Sequence, residues 1–336
     1  MKARRIRKRL HRMELLLESP GLRLQRRDGC FLIEREGQPS LKLAPAQVTQ
    51  ILAGRGILLS SGAIRLAAES GIPLMLVDGQ GQPSARLWSP HYGSIATIRR
   101  GQVYFAEGMA GRAWVAGIIA KRLRGSARLL AEQAPEEDPV CLTAMETLHR
   151  QADRIEQHIE TEGDWRARLR GEEGSAMRTY FAGLPRLLPA GWAFEGRSRR
   201  PARDPFNCLL NYLYGMLYSY LEGDLIRAGI DPYLGVLHQD EYQRPVLVFD
   251  LIEAYRTWVE RVALKVACEH MDPPVDWFQV REGGWWLLPP GKKVIITALQ
   301  AYLSAATDSK RGSRRQRMQA ACHALARRMT RARPDG

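Results

Sequence analysis

The sequence predicts an α+β fold: a small β-rich N-terminal domain, residues 13–95, followed by a larger all-α C-terminal domain, residues 96–330. Two observations carry this. Up to about Ile95, short apolar runs are separated by turn formers such as Asp28-Gly29, Glu36-Gly37, Gly54-Arg55-Gly56 and Asp78-Gly79, the rhythm of strands and tight turns. From Arg99 onward, apolar residues recur at helical spacing almost to the end.

The chain opens on a basic arm, residues 1–12 (MKARRIRKRLHR), read either as an arm that touches DNA or as an artefact of start-codon choice. The runs ELLLES, GLRLQRR, CFLIERE, PSLKLA, GILLSS, PLMLVD and SARLWS then read as strands. Two stretches, 45–53 and 62–70, carry apolar residues at helical spacing, and the second leads through Gly71-Ile72-Pro73 into the LMLV strand. Residues 102–130 form a long amphipathic run, broken softly by glycines and studded with Arg112, Lys121, Arg122, Arg124 and Arg128, a solvated face or in part a DNA contact. An acidic loop (132–140) separates it from a helix at 142–162, whose His149 and His158 have no companion ligand and read as ordinary histidines.

After Tyr180 the chain loosens into a Gly-, Pro- and Arg-rich loop, where Arg197, Arg199, Arg200 and Arg203 are candidates for phosphate contacts. Asp204 or Pro205 starts the next helix, because an Asp side chain caps free amides and Pro fits the first turn. Its apolar stripe, with Tyr212, Tyr214 and Tyr218 nearby, reads as core rather than as a base-stacking platform. A helix at 258–269, a short strand or turn holding Trp285-Trp286 and a basic last helix containing Lys310, Arg311, Arg314, Arg315, Arg317, Arg327 and Arg328 complete the chain.

Composition narrows the partners. Lys and Arg total 50 against 36 Asp and Glu among 336 residues, a formal charge of +14. Such a surface attracts phosphate backbones by releasing condensed counterions. Five scattered cysteines without a CxxC pair argue for a reduced, cytoplasmic setting and against a zinc ribbon. No apolar run approaches the roughly 20 residues of a membrane span, so no membrane partner is expected.

The chemistry concentrates between Asp231 and Arg256 (DPYLGVLHQDEYQRPVLVFDLIEAYR). His238 precedes a short apolar, strand-like run, and Asp250 and Glu253 lie one turn apart on a probable helix, sharing a face. The turn at 239–245 lets His238 fold back toward them. Two carboxylates and an imidazole suit a divalent cation that prefers oxygen but accepts nitrogen, Mg²⁺ or more comfortably Mn²⁺. Glu173, upstream in RGEEGSAMRTYF before Gly174 and Arg178, offers a further ligand.

Glu173-Gly174, Asp204-Pro205-Phe206-Asn207, Gly235-Val236-Leu237-His238 and Asp250-Leu251-Ile252-Glu253, with Leu59-Ser60-Ser61-Gly62-Ala63 and Gly71-Ile72-Pro73-Leu74 toward the amino end, resemble the CRISPR-associated integrase family Cas1. The resemblance implies a β-rich dimerisation domain and a helical catalytic domain. It puts the metal ligands at Glu173, His238 and Glu253, with Asp250 a fourth acidic position that binds the ion or orients the histidine. The implied reaction joins the 3′-hydroxyl of a short DNA duplex, the spacer fragment, to a phosphodiester at a CRISPR repeat. The implied assembly is a homodimer joined to a dimer of the companion Cas2. DNA contacts are expected from Arg178, Arg197, Arg199, Arg200, Arg203 and Arg256. Two other classes use the same residues: a structure-specific repair nuclease with water as nucleophile, and a non-catalytic architectural DNA-binding protein with a structural acidic cluster.

Overall fold

In the computed structural model, residues 13–87, 96–157, 163–238, 244–308 and 312–333 are described. The basic arm, His158, residues 239–243 of the turn after His238, Lys310 and Arg311 lie outside them. Two compact units divide the chain, 1–93 and 94–336.

Strands in the first unit are β1 (Met13–Leu17), β2 (Arg23–Arg27), β3 (Cys30–Glu34), β4 (Leu41–Leu43), β5 (Val48–Ala53), β6 (Leu58–Leu59), β7 (Leu74–Val77) and β8 (Pro83–Arg86). They build two four-stranded sheets, ordered β1-β5-β7-β8 and β4-β3-β2-β6. Asp28 and Gly29 join β2 to β3 with φ of 50° and 70°, the left-handed pair that a two-residue hairpin turn demands. Helix α1 (Ser61–Glu69) is capped by the Ser60 hydroxyl, which accepts the Ala63 N–H. Its Ala63, Leu66 and Ala67 join Leu24, Phe31 and Ile51 in a core drawn from both sheets.

One expectation fails in this unit. The stretch 45–53 is a single 3₁₀ turn, Pro45–Gln47, followed by strand β5 instead of a helix. β5 is flanked by parallel partners on both edges, β1 and β7, and most of its residues are buried. A strand covered on both faces loses the polar–apolar alternation by which strands are recognised, and its apolar run then mimics helical spacing.

The second unit is mainly helical: α2 (Ala96–Glu107), α3 (Met109–Gln133), α4 (Pro139–Gln157), α5 (Trp165–Gly183), α6 (Pro205–Arg227), α7 (Val246–Ile252), α8 (Arg256–Glu269), α9 (Pro289–Ser304) and α10 (Arg314–Met329). It is not all-α, because antiparallel pairs β9 (Phe278–Arg281) with β10 (Gly284–Leu287) and β11 (Ala306–Asp308) with β12 (Gly312–Ser313) interrupt it. Helix α6 is buried along almost its whole length, Tyr212, Tyr214 and Tyr218 included, as a helix apolar on every face must be. It starts at Pro205 with the Asp204 carboxylate accepting the Asn207 N–H.

The run at 102–130, read as softly broken by glycines, is two helices. Gly108 takes an extended conformation between α2 and α3, and Gly111 follows so closely that a Cβ there would lie 1.9 Å from Phe105 O. The strand-like run after His238 is helix α7, whose Val246, Leu247 and Val248 are fully buried and whose run is too short for periodicity to tell helix from strand. Asp250 stands in α7, while Glu253 opens the 3₁₀ turn Glu253–Tyr255 that bends the chain into α8. No helix among the described residues is long and apolar enough to cross a membrane.

Candidate active site

His238 lies in an irregular segment that has no strand ladder among the described residues, so its backbone groups need partners elsewhere. Asp250 supplies them. Its Oδ2 accepts the N–H groups of Val236 at 2.6 Å and Leu237 at 3.0 Å; its Oδ1 accepts the N–H of His238 at 3.1 Å and lies 2.7 Å from His238 Nδ1. Asp250 is fully buried, and these contacts occupy both its oxygens. It therefore orients the histidine: with the Nδ1 proton shared with a carboxylate, Nε2 is left as the donor atom for an electrophile. Gly235 is required for this turn, because a Cβ there would lie 2.3 Å from His238 O and 3.0 Å from Val246 Cγ2.

Glu173 and Glu253 complete the group. Glu172 turns away to Arg154, 3.5 Å off, whereas Glu173 makes no hydrogen bond or ion pair among the described residues. Burial first, and then the charge of Glu253, push the Glu173 carboxyl up to about 7 against the opposing pull of Arg256, His238 and Arg122. Burial by itself would lower the His238 imidazole, but its bond to Asp250 and the charges of Asp250, Glu173 and Glu253 hold it above the usual histidine range. Mutual repulsion of two carboxylates beside a raised imidazole is the electrostatic pattern a divalent cation relieves.

The donor set suits such an ion in kind: two carboxylates and an imidazole with its second nitrogen already held. Among the described residues, however, no three His, Cys, Asp or Glu side chains close around a common point. One oxygen of Glu253 is occupied, accepting the Arg256 Nε–H at 2.5 Å.

Beneath Glu253 lies a network with no sign in the sequence. Arg122 is not on a solvated face; it is 1% exposed and donates to both oxygens of Glu260, at 2.6 and 2.5 Å. The hydroxyls of Tyr180 and Tyr214 donate to the same carboxylate. Burial would raise Glu260, and Arg122 with the two hydroxyls reverses this and holds it below the usual range. Arg122 Nε, without a hydrogen-bond partner, lies 3.8 Å from Glu253 Oε2, so the network supports the candidate ligand from below.

The expected DNA-contacting arginines divide by environment. Arg178, Arg199, Arg200 and Arg203 are exposed. Arg197 is tucked in: it donates to Asn207 Oδ1 at 2.9 Å and Asn211 Oδ1 at 2.5 Å, and lies 5.2 Å from the Tyr214 ring centroid. Burial without a carboxylate partner brings its guanidinium down to about 10. Asn207 also accepts the Ser198 N–H and donates to Gly196 O, so the Asp204–Asn207 motif fastens this loop to the start of α6. Arg256 lies 4.7 Å from the centroid of the same Tyr214 ring, bringing two guanidinium groups near one aromatic side chain next to Glu253.

The profile of the family described as CRISPR associated protein Cas1 matches residues 15–301. The chain belongs to the Cas1 family. It is 31% identical over 308 residues to CRISPR-associated endonuclease Cas1 1 of Thermus thermophilus, covering 90% of each protein. It is 29% identical over 298 residues to CRISPR-associated endonuclease Cas1 1 of Methanospirillum hungatei, covering 85% of this chain and 86% of that one. Among solved structures, a CAS1 protein from Thermotoga maritima superimposes with a TM-score of 0.79 at 18% identity, over 96% of this chain and 99% of that one. A casposase bound to its integration product follows with 0.77 at 19% identity, over 95% and 91%. At such identities these structures establish likeness of fold alone.

Within this Cas1 fold, other residues shape the site and escaped sequence reasoning. Gln102, 1% exposed on α2, donates to the carbonyls of Asp231 and Leu234 and accepts the Asp231 N–H, so it holds the segment that leads to His238. On α5, Arg166 and Arg170 donate to the carbonyls of Val236 and Leu237. Their spacing of one helical turn, with Glu173 three residues beyond, was the available signal.

Proposed function

We propose that the chain is a metal-dependent DNA integrase and endonuclease of CRISPR adaptation, which joins the 3′-hydroxyl of a short duplex to a phosphodiester at a CRISPR repeat. Family membership supports the class, and the neighbour bound to its integration product supports the chemistry. The observation that carries the reading is the pairing of a fully oriented His238 with an unpartnered Glu173 beside Glu253.

In this reading Glu173, His238 through Nε2, and Glu253 hold Mg²⁺ or Mn²⁺. When bound, the cation neutralises charge developing on the phosphate and favours the oxyanion of the attacking group. Asp250 fixes the histidine tautomer and does not bind the ion. Arg256, bonded to Glu253, and Arg197, near the same Tyr214 ring as Arg256, offer donors to phosphate oxygens, and the exposed Arg178, Arg199, Arg200 and Arg203 hold the duplex by counterion release. Proton flow then involves the attacking 3′-hydroxyl, which loses its proton, and the 3′-oxygen released from the cut strand, which gains one. The chain works as a homodimer through its β-rich unit and assembles with a dimer of Cas2. Two curated relatives are named endonucleases, and a solved neighbour is titled a Cas6-RT-Cas1–Cas2 complex, which makes cutting and this partner the natural companions.

The test is to incubate the chain, with and without Cas2, with a 3′-hydroxyl duplex and a supercoiled repeat-bearing plasmid in Mn²⁺, alongside Glu253→Ala. Joining that is lost in the variant, in chelator and with a 3′-blocked duplex is the expected result. Cutting without joining even with Cas2 present would leave a nuclease, and tight binding with neither reaction an architectural protein.

A further inference from the structure

We infer that Arg166 and Arg170 are positioning residues for His238, clamping from α5 the peptide groups whose opposite sides Asp250 holds from α7. The inference rests on the metal-site reading above and adds to it the element that sets one ligand relative to another.

The two peptide units before His238 are each held at both ends. In the first, Val236 O accepts the Arg166 Nε–H at 2.7 Å while the Leu237 N–H donates to Asp250 at 3.0 Å. In the second, Leu237 O accepts from Arg170 at 3.2 Å while the His238 N–H donates to Asp250 at 3.1 Å. Each peptide dipole thus lies between a cation at its oxygen and an anion at its hydrogen, the favourable alignment, and charge-assisted bonds are about twice as strong as neutral ones. Rotation of either plane would break bonds on both sides together.

Arg166 is the firmer of the two. Its guanidinium also donates to Ala106 O at 3.2 Å and stacks 4.6 Å from the Trp165 ring centroid, so it ties the end of α2 to the histidine segment as well. Arg170 is exposed and makes one bond to the segment. Glu173 follows Arg170 on the same helix, so α5 presents one candidate ligand and fixes the backbone of a second. Helix motion would carry both together and preserve their separation.

The test uses the whole protein and Mn²⁺ alone, without DNA. Pulsed electron paramagnetic resonance of bound Mn²⁺ reads the imidazole nitrogen directly, and a titration of free Mn²⁺ gives affinity. In the wild type a nitrogen coupling is expected that His238→Ala abolishes. Arg166→Met, which keeps the stem but removes the donors, is expected to lower Mn²⁺ affinity about 10–100-fold, the size typical of groups that orient metal ligands, and to weaken that coupling. Arg166→Lys restores part of it, because one charged donor returns. Arg170→Met moves both readouts the same way by less; it stands on an exposed helical surface and serves if Arg166→Met does not fold. A folded Arg166→Met or Arg170→Met protein with wild-type affinity and coupling overturns the positioning role. Absence of any His238-dependent coupling in the wild type overturns the metal site and this inference with it.

Discussion

Glu260 and Glu173 are carboxylates of the same helical unit, one fully buried and the other half-buried, and they are partnered in opposite ways. Glu260 receives two bonds from Arg122 and one each from Tyr180 and Tyr214, and its carboxyl is held below the usual range. Glu173 receives none among the described residues and is pushed up to about 7. Glu260 is the more deeply buried of the two and is nonetheless the one held low, so the partners and not burial alone decide the difference. A satisfied carboxylate fastens α3, α5, α6 and α8 together; an unsatisfied one beside a second carboxylate and an oriented imidazole is what the proposed function uses to hold a cation.

The contrast breaks most visibly at Glu260. Glu260→Ala leaves Arg122 buried and uncompensated, and loss of one partner of such a pair costs about 3–5 kcal/mol. Denaturant unfolding should show that loss, with joining reduced in step with the loss of stability. Glu173→Gln should instead abolish joining while unfolding as late as the wild type or later. If both substitutions destabilise equally, the distinction between the two carboxylates is wrong.

Next in size is Gly235→Ala. Its Cβ would meet His238 O at 2.3 Å, and overpacking of this kind costs about 1–3 kcal/mol. The expected signature is a fall in Mn²⁺ affinity larger than the fall in stability, read by titration and thermal unfolding on the same sample.

pH separates the carboxylates by sign. Glu260, lowered in the fold, contributes stability above the unfolded carboxyl value of about 4.5, and that contribution is lost as pH falls through its folded value. Glu173, raised to about 7, works the other way in metal-free protein: its contribution is complete below about 4.5 and is lost as pH rises toward 7. Stability of the chelated protein between these values should therefore fall less steeply with pH in Glu173→Gln than in the wild type. An unchanged slope would remove Glu173 from the account.

The same comparison applies to the arginines. Arg122 is buried and structural, whereas Arg199, Arg200 and Arg203 are exposed. Replacing those three by Ala should leave thermal unfolding within about 0.5 kcal/mol. It should also flatten the salt dependence of DNA binding by about one unit of slope for every phosphate no longer neutralised. The smallest effect is expected at Gly174. Nothing lies within 4 Å of its would-be Cβ, and Gly174→Ala in α5 should stabilise the protein by up to about 1 kcal/mol.

What the sequence disclosed and what it hid follow one physical division. Local chemistry was legible: Asp204 caps α6, Pro205 opens it, and Asp28-Gly29 turns a hairpin. So was the return of His238 toward Asp250, because the two stand only twelve residues apart. Pairings across the fold were not. Arg122 reads as one charge in a charged helix until Glu260, 138 residues away, is brought to it. β5 reads as helix because its residues are buried on both faces, inside a sheet whose other strands arrive from distant segments. The bonds that Asp250 accepts from Val236, Leu237 and His238 were hidden too, and they favour the orienting role given to it in the proposed site.

The central claim is that Glu173, His238 and Glu253 together hold a divalent cation. Thermal unfolding of the wild type and of Glu173→Gln across a Mn²⁺ titration tests it most directly, since an ion that binds only the folded state raises the midpoint by mass action. The wild type should climb by several degrees as Mn²⁺ exceeds its dissociation constant about 100-fold, and Glu173→Gln should stay nearly flat. Equal climbs in both proteins would contradict the claim.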